Sequence, residues 1–129
     1  MLGAAAAWAF GGWDAAIAAL LVCICADYIS GSLVALVFHR SRKTESGAYN
    51  SAYGLKGLCK KGMILLFVLV AVQIDRILET DYVRDAVCIG FCLNEILSLI
   101  ENLGLAGIPM PSIVRSALEL LQKESEKKK

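Results

Sequence analysis

Asn94–Asn102, NEILSLIEN, places two carboxylates and two amides within an apolar segment that begins at Ala86. An ionisable side chain at the centre of a lipid-buried helix costs roughly 2.5–3.5 kcal/mol on insertion scales, and such residues are usually paired or functional. Either this segment does not cross a membrane, or its polar face meets another protein surface or water. The fold of the chain depends on which alternative holds.

The composition of the chain favours a membrane protein. Of its 129 residues, 57% are hydrophobic and the mean hydropathy is +0.62, whereas soluble domains contain roughly 45–50% apolar residues. The net charge of +1 provides no basic field for binding nucleic acid. We therefore interpret residues 1–129 as a single membrane domain without a nucleic-acid partner.

Three apolar segments, residues 15–38, 62–78 and 86–103, are predicted to cross the membrane. The first would extend about 36 Å as a helix, enough for a hydrocarbon core of roughly 30 Å. After a Gly- and Pro-containing link, residues 112–123 have the pattern of a short amphipathic helix, and 124–129 form a charged tail. The predicted fold is an all-α, oligomeric membrane protein with three transmembrane helices and a C-terminal amphipathic helix.

The charges between the spans predict the orientation of the chain. Residues 39–61 form a predicted loop that is rich in basic residues, which favours the cytoplasmic side. The basic residues assigned to this membrane-surface loop are Arg40, Arg42, Lys43, Lys56, Lys60 and Lys61. The N-terminus is then outside and the C-terminus cytoplasmic. Residues 53–61 either lie on lipid headgroups or form a solvated loop. Residues 1–13 are interpreted as a frayed end or an extension of the first helix, in preference to an interfacial or pore-associated amphipathic segment.

Neither the cysteines nor the carboxylates form a pattern that predicts chemistry. The five cysteines are interpreted as small apolar helix residues rather than disulfides or metal ligands, because His39, the one histidine, lies elsewhere. The carboxylates are spread over three helices, so no catalytic site is expected. No internal repeat indicates a transporter. We expect a protein that is not an enzyme and holds no cofactor or metal.

Polar residues within the spans are the candidates for oligomerisation or pore lining. On the first span, Asp27 shares a small, polar face with Ser30 and Gly31. On the third, Glu95 lies deep, whereas Glu101 and Asn102 approach the inner interface and are expected to fix the exit into the link. The full set is Asp27, Ser30, Gly31, Asp75, Glu95, Ser98, Glu101 and Asn102. Asp75 and its neighbour Arg76 are expected to extend toward the interface without pairing with each other.

The sequence leaves open whether Asp27 and Glu95 act in an oligomer or are shielded within one chain. Their faces either pack subunits together or line a water-filled lumen, since each arrangement removes part of the cost of placing a carboxylate in lipid. Alternatively, the first and third spans pack against each other within one chain and shield both carboxylates.

From Asp27 to about Leu121 the chain resembles the toxin secretion/phage lysis holin family. The motifs that carry the resemblance are Asp27-x-x-Ser30-Gly31, Ser51-x-x-Gly54-x-x-Gly57-Leu58-x-Lys60-Lys61, Ile74-Asp75, Asn94-Glu95-x-x-Ser98-x-x-Glu101-Asn102 and Gly107-Ile108-Pro109-Met110-Pro111.

This resemblance implies a small phage-encoded protein of the bacterial inner membrane that self-associates. At a set time such proteins open lesions that release a cell-wall-degrading endolysin or, in some relatives, export a toxin. Two further functions remain open: a membrane scaffold that docks a cytoplasmic partner, and an ion-conducting channel subunit that uses Asp27 and Glu95.

Overall fold

The computed structural model describes residues 1–39, 50–109 and 111–127. Within these ranges the chain forms helices and no strand. The helices are α1 (Leu2–Ala9), α2 (Ala15–Leu33, continued by a π-helical segment Val34–Phe38), α3 (Ser51–Leu78), α4 (Val83–Leu105) and α5 (Ser112–Lys127). The prediction of an all-α fold with three membrane-spanning helices and a short C-terminal helix is confirmed.

Three of these helices are long and apolar enough to cross a membrane: Ala15–Phe38, Ser51–Leu78 and Val83–Leu105. Large apolar side chains on all three point away from the rest of the protein; examples are Val22, Leu66 and Ile89, which are 68%, 60% and 57% exposed. Helices with apolar surfaces on every side are typical of membrane spans, because lipid covers the faces that protein does not. The chain is a multi-pass membrane protein.

The second spanning helix is longer than the predicted span 62–78. Helix α3 begins at Ser51, because the Asn50 side chain accepts a hydrogen bond from the Ala52 amide at 2.9 Å and caps its first turn. Lys56, Lys60 and Lys61 are therefore helical, which corrects the prediction of a loop at these positions. The other residues of the predicted basic loop, Arg40, Arg42 and Lys43, lie outside the described residues.

The two ends of the chain also differ from expectation. Residues 2–9 form a separate helix, neither frayed nor continuous with α2, because Gly11 and Gly12 adopt positive φ angles of 79° and 100° and turn the chain. At the other end, α5 extends to Lys127, beyond the predicted limit at residue 123. The added residues are mostly Glu and Lys, which favour helix.

The three spanning helices pack as a bundle in which α2 and α4 form the most extensive interface and α3 packs mainly on α4. Its apolar core consists of Ile17, Leu20, Ile24, Val68 and Cys88. Phe67 and Phe91 add an edge-to-face contact between α3 and α4, with ring centroids 5.6 Å apart. The buried charged side chains of the spans lie at two separate places beside this core.

Candidate functional site

A lysine from the second span joins two carboxylates from the first and third. The Lys61 ammonium donates to Asp27 Oδ2 and to Glu95 Oε2, both at 2.7 Å. The three side chains are 12%, 9% and 4% exposed. Each of the three spanning helices thus contributes one charge to a single buried contact.

Two uncharged side chains complete this group on the side of Asp27. The Asn102 amide donates to Asp27 Oδ1 at 3.0 Å and to Ser30 Oγ at 2.9 Å, and it also lies 3.3 Å from the Asp27 carbonyl oxygen. The Ser30 hydroxyl donates to the same carbonyl at 3.0 Å. We call Asp27, Ser30, Lys61, Glu95 and Asn102 the Lys61 cluster.

The Lys61 cluster joins the three spanning helices. Two carboxylates and one ammonium carry a formal charge of −1 when all are ionised, so their desolvation is offset only if the hydrogen bonds are complete. Among the described residues, no buried side-chain nitrogen or oxygen lacks a partner. Breaking a buried pair of this kind by removing one partner is strongly destabilising, whereas the intact group fixes the rotation of each helix about its axis.

The remaining candidates on α2 and α4 lie around this cluster. A Cβ built on Gly31 would lie 3.5 Å from the Asn102 amide nitrogen, an ordinary contact, so Gly31 borders the cluster without being required there. Ser98 is half-buried one turn after Glu95, and Glu101 is exposed on α4. On α3, Lys60 and Lys56 are exposed on the helix surface.

A second polar group lies where α2 and α4 begin and α3 ends. The buried Arg84 guanidinium donates to the Phe10 and Gly12 carbonyls at 2.9 and 3.0 Å, to Asp14 Oδ2 at 2.6 Å and to Asp85 Oδ1 at 3.1 Å. We call these five residues the Arg84 network. It holds the turn between α1 and α2 against the first turn of α4.

Asp14 has two roles in the Arg84 network. Its side chain accepts a hydrogen bond from the Ile17 amide at 3.2 Å and so caps α2. The Arg84 guanidinium, which donates to Asp14, holds the pKa of this carboxyl below its usual value.

Asp75 is placed as a helix cap beside the Arg84 network. It is buried at the end of α3 and accepts hydrogen bonds from the Val83 and Arg84 amides at 3.0 and 2.9 Å, and from the Thr80 hydroxyl at 2.6 Å. These contacts satisfy two amides in the first turn of α4. Arg76 points elsewhere: its guanidinium lies 4.0 Å from the centroid of the Trp8 ring and donates to the Trp8 carbonyl.

The sequence prediction missed both cationic centres. The prediction places Lys61 in a surface loop and does not include Arg84 among the candidate residues. The available signal was the need of Asp27 and Glu95 for a counter-ion, since Lys61 lies one residue before the apolar run that begins at Gly62. A helix that continued backward through Gly62 would have brought this lysine to membrane depth.

Of the two arrangements considered for Asp27 and Glu95, the single chain has the intramolecular one, with Lys61 added between them. Contacts between subunits remain a prediction. The five cysteines are free thiols, and the described residues contain no group of three His, Cys, Asp or Glu side chains placed to hold a metal ion.

Comparison with known proteins identifies a matching family and several relatives of this chain. A model of the bacteriophage holin family matches residues 4–123. An uncharacterised protein of Clostridium perfringens is 36% identical over 126 residues, covering 96% of this chain and 87% of the relative. One of Listeria innocua is 35% identical over 124 residues, covering 95% and 83%. A probable holin of Bacillus phage phi105 is 30% identical over 73 residues, covering 56% and 54%. No solved structure matches the chain significantly.

Proposed function

The chain belongs to the bacteriophage holin family, and we propose that it assembles into homo-oligomeric lesions in the bacterial inner membrane at a timed point of host lysis. These lesions release a cell-wall-degrading endolysin or export a toxin. The observation that carries this proposal is the family match over residues 4–123, which includes all three spanning helices and the Lys61 cluster. The role is physical and requires no catalytic step.

The Lys61 cluster provides a physical basis for two states of the protein: a closed one with these charges shielded and an open one with them exposed. In the single chain its charges are shielded by the three helices, so the monomer presents a mainly apolar surface to lipid. A water-filled lesion needs polar surface, and Asp27, Lys61 and Glu95 are polar groups within the spans that could provide it. We propose that lesion formation separates the helices and exposes these side chains to water or to neighbouring subunits.

The proposed orientation has the N-terminus outside and the C-terminus in the cytoplasm. Lys61 no longer contributes to the orientation, because it is paired within the bundle. Arg40, Arg42, Lys43, Lys56 and Lys60 still precede or begin the second span on one side. Their excess supports a cytoplasmic location for that side, by the positive-inside tendency.

Co-expression with a soluble endolysin that lacks an export signal tests the lytic function. Induction of this chain together with the endolysin should leave growth unaffected for a fixed interval and then cause abrupt lysis. An inactive endolysin is the matched control and should give growth arrest without lysis. If viability, membrane potential and endolysin location all remain unchanged while the protein accumulates in the membrane, the lytic function is wrong.

The same cells distinguish the alternative functions. An ion-conducting channel subunit is favoured by one observation, the buried charges within the spanning helices. Such a subunit would collapse ion gradients while the folded endolysin stays inside. A scaffold would change neither gradient nor viability.

Crosslinking tests the proposed oligomer. Cysteines introduced beside Asp27 and Glu95 should crosslink between chains, or react with aqueous thiol probes, only after the onset of lysis. If neither reaction occurs in lysing cells, the Lys61 cluster stays closed within each monomer and the lesion is lined by other surfaces.

A further inference from the structure

Helix α5 has an apolar face that no part of the described protein covers. Ile113, Leu120 and Leu121 are 82%, 64% and 49% exposed. With Ala117 they recur at intervals of three and four residues and therefore lie on one side of the helix. Glu124 follows on the same side, so the apolar face ends after Leu121. Such a face is unfavourable in water, because the apolar area it exposes stays hydrated.

The opposite face of α5 carries charges of both signs. Arg115, Glu119, Lys123 and Glu126 recur at similar helical intervals and are all exposed. Opposite charges four residues apart stabilise an exposed helix. Because Ser112–Lys127 contains three basic and three acidic residues, Arg115, Lys123, Lys127, Glu119, Glu124 and Glu126, it has no strong net charge with which to select an anionic partner.

The link to α4 keeps α5 near the edge of the membrane. Residues 106–111 join the end of the third spanning helix to the start of α5, and even a fully extended link of this size reaches only about 20 Å. Gly107 turns the chain with a φ of 89°, and the Ile108 amide donates to the Leu103 carbonyl at 3.0 Å. Helix α5 contacts α4, so the start of α5 stays beside the end of the third spanning helix.

We propose that α5 lies in the plane of the bilayer surface, with Ile113, Ala117, Leu120 and Leu121 inserted among the lipid acyl chains and Arg115, Glu119, Lys123 and Glu126 facing water. The occupant of the apolar face is the bilayer because the helix is tethered to a span that ends at that surface. Its balanced charges imply that burial of apolar surface provides the binding, so a zwitterionic bilayer suffices. This inference is independent of lytic function.

Fluorescence of the full-length protein in vesicles tests the orientation of α5. An apolar, environment-sensitive fluorescent amino acid replaces Leu120 or, as the matched control one residue away, Glu119. A second matched pair is Ile113 and Arg115. The vesicles are phosphatidylcholine, with and without phosphatidylglycerol, at high lipid-to-protein ratio. Positions 113 and 120 should show blue-shifted emission and several-fold stronger quenching by nitroxides on the acyl chains. Positions 115 and 119 should instead be quenched by aqueous iodide.

Two outcomes would overturn the proposal. If iodide quenches all four positions equally, α5 is surrounded by water. If positions 113 and 120 are shielded from iodide but insensitive to acyl-chain nitroxides, and the shielding decreases as lipid is added, the face is covered by a second copy of the chain. The double variant Leu120→Glu/Leu121→Glu provides a further check, since hydrogen exchange in residues 112–127 should increase several-fold while α2, α3 and α4 remain protected.

Discussion

The Lys61 cluster and the Arg84 network each centre on one cation, but they differ in burial. The three charged side chains of the Lys61 cluster are at most 12% exposed. In contrast, the Asp14 and Asp85 side chains that pair with Arg84 are 52% and 49% exposed. Water can therefore hydrate the carboxylates of the Arg84 network but has little access to the charges of the Lys61 cluster. Ion pairs with similar contact distances thus contribute very differently to the free energy of unfolding.

The two groups also differ in what they join. Lys61 connects all three spanning helices through side chains alone. Arg84 binds two backbone carbonyls and holds the turn at Phe10–Asp14 against α4. We conclude that the first maintains the bundle, whereas the second maintains the position of the N-terminal segment. Variants that remove one charge at a time test this distinction.

Lys61→Met should have the largest effect. It leaves Asp27 and Glu95 buried together without their cation, and loss of one partner from a buried pair costs about 3–5 kcal/mol. The free energy of unfolding in mixed micelles should fall by that amount. Lys60→Met is the matched control, since Lys60 is exposed on the same helix and should change stability by less than about 0.5 kcal/mol. Equal effects of the two variants would refute the role assigned to Lys61.

Arg84→Gln should destabilise the protein less, by about 2 kcal/mol. Hydrogen bonds to charged groups contribute roughly 1.5–3 kcal/mol, and water has access to the Asp14 and Asp85 side chains that pair with Arg84. The effect should be local, with faster hydrogen exchange and proteolysis at residues 1–14. Arg115→Gln removes an exposed arginine on α5, away from the N-terminal segment, and serves as the control. Faster exchange throughout α3 and α4 would show instead that Arg84 maintains the whole bundle.

Glu95→Gln should change the free energy of unfolding by only about 1 kcal/mol, despite altering the most buried member of the Lys61 cluster. One ammonium and one carboxylate then remain, and the glutamine carbonyl still accepts a hydrogen bond from Lys61. Glu95→Ala should cost more, because it removes the acceptor and leaves a void. A large effect of Glu95→Gln, measured in the same micelles, would mean that both carboxylates must be ionised.

Loss of the Asp14 charge on acidification should have the smallest effect, and it should act on the Arg84 network. Because Arg84 holds the pKa of Asp14 below its usual value, the stabilisation is complete above the usual carboxyl pKa and is lost as the pH falls through the lowered value. Fluorescence of Trp8 and Trp13 should report this step. Asp85 also accepts a hydrogen bond from Arg84, so Asp14→Asn is the control. If the step persists in that variant, Asp14 is not its origin.

The residues of the candidate site that stand out in the pattern of a single helix could be predicted from the sequence. Asp27, Ser30 and Glu95 were identified from the sequence because a polar side chain interrupts an apolar run. Lys61 and Arg84 were not, because each lies near the end of an apolar run, where a charge is ordinarily solvated. The burial of both depends on the neighbouring helices.

The three apolar spans, the small polar face around Asp27 and the amphipathic pattern of α5 could be predicted from the amino-acid sequence, because hydropathy and helical periodicity are local properties. Helix packing, in contrast, positions Lys61 between Asp27 and Glu95, brings Asn102 to Ser30 and holds Arg84 at the N-terminal turn. These contacts depend on the register and rotation of one helix against another. Packing between helices sets those variables, and no pattern within a single helix contains them.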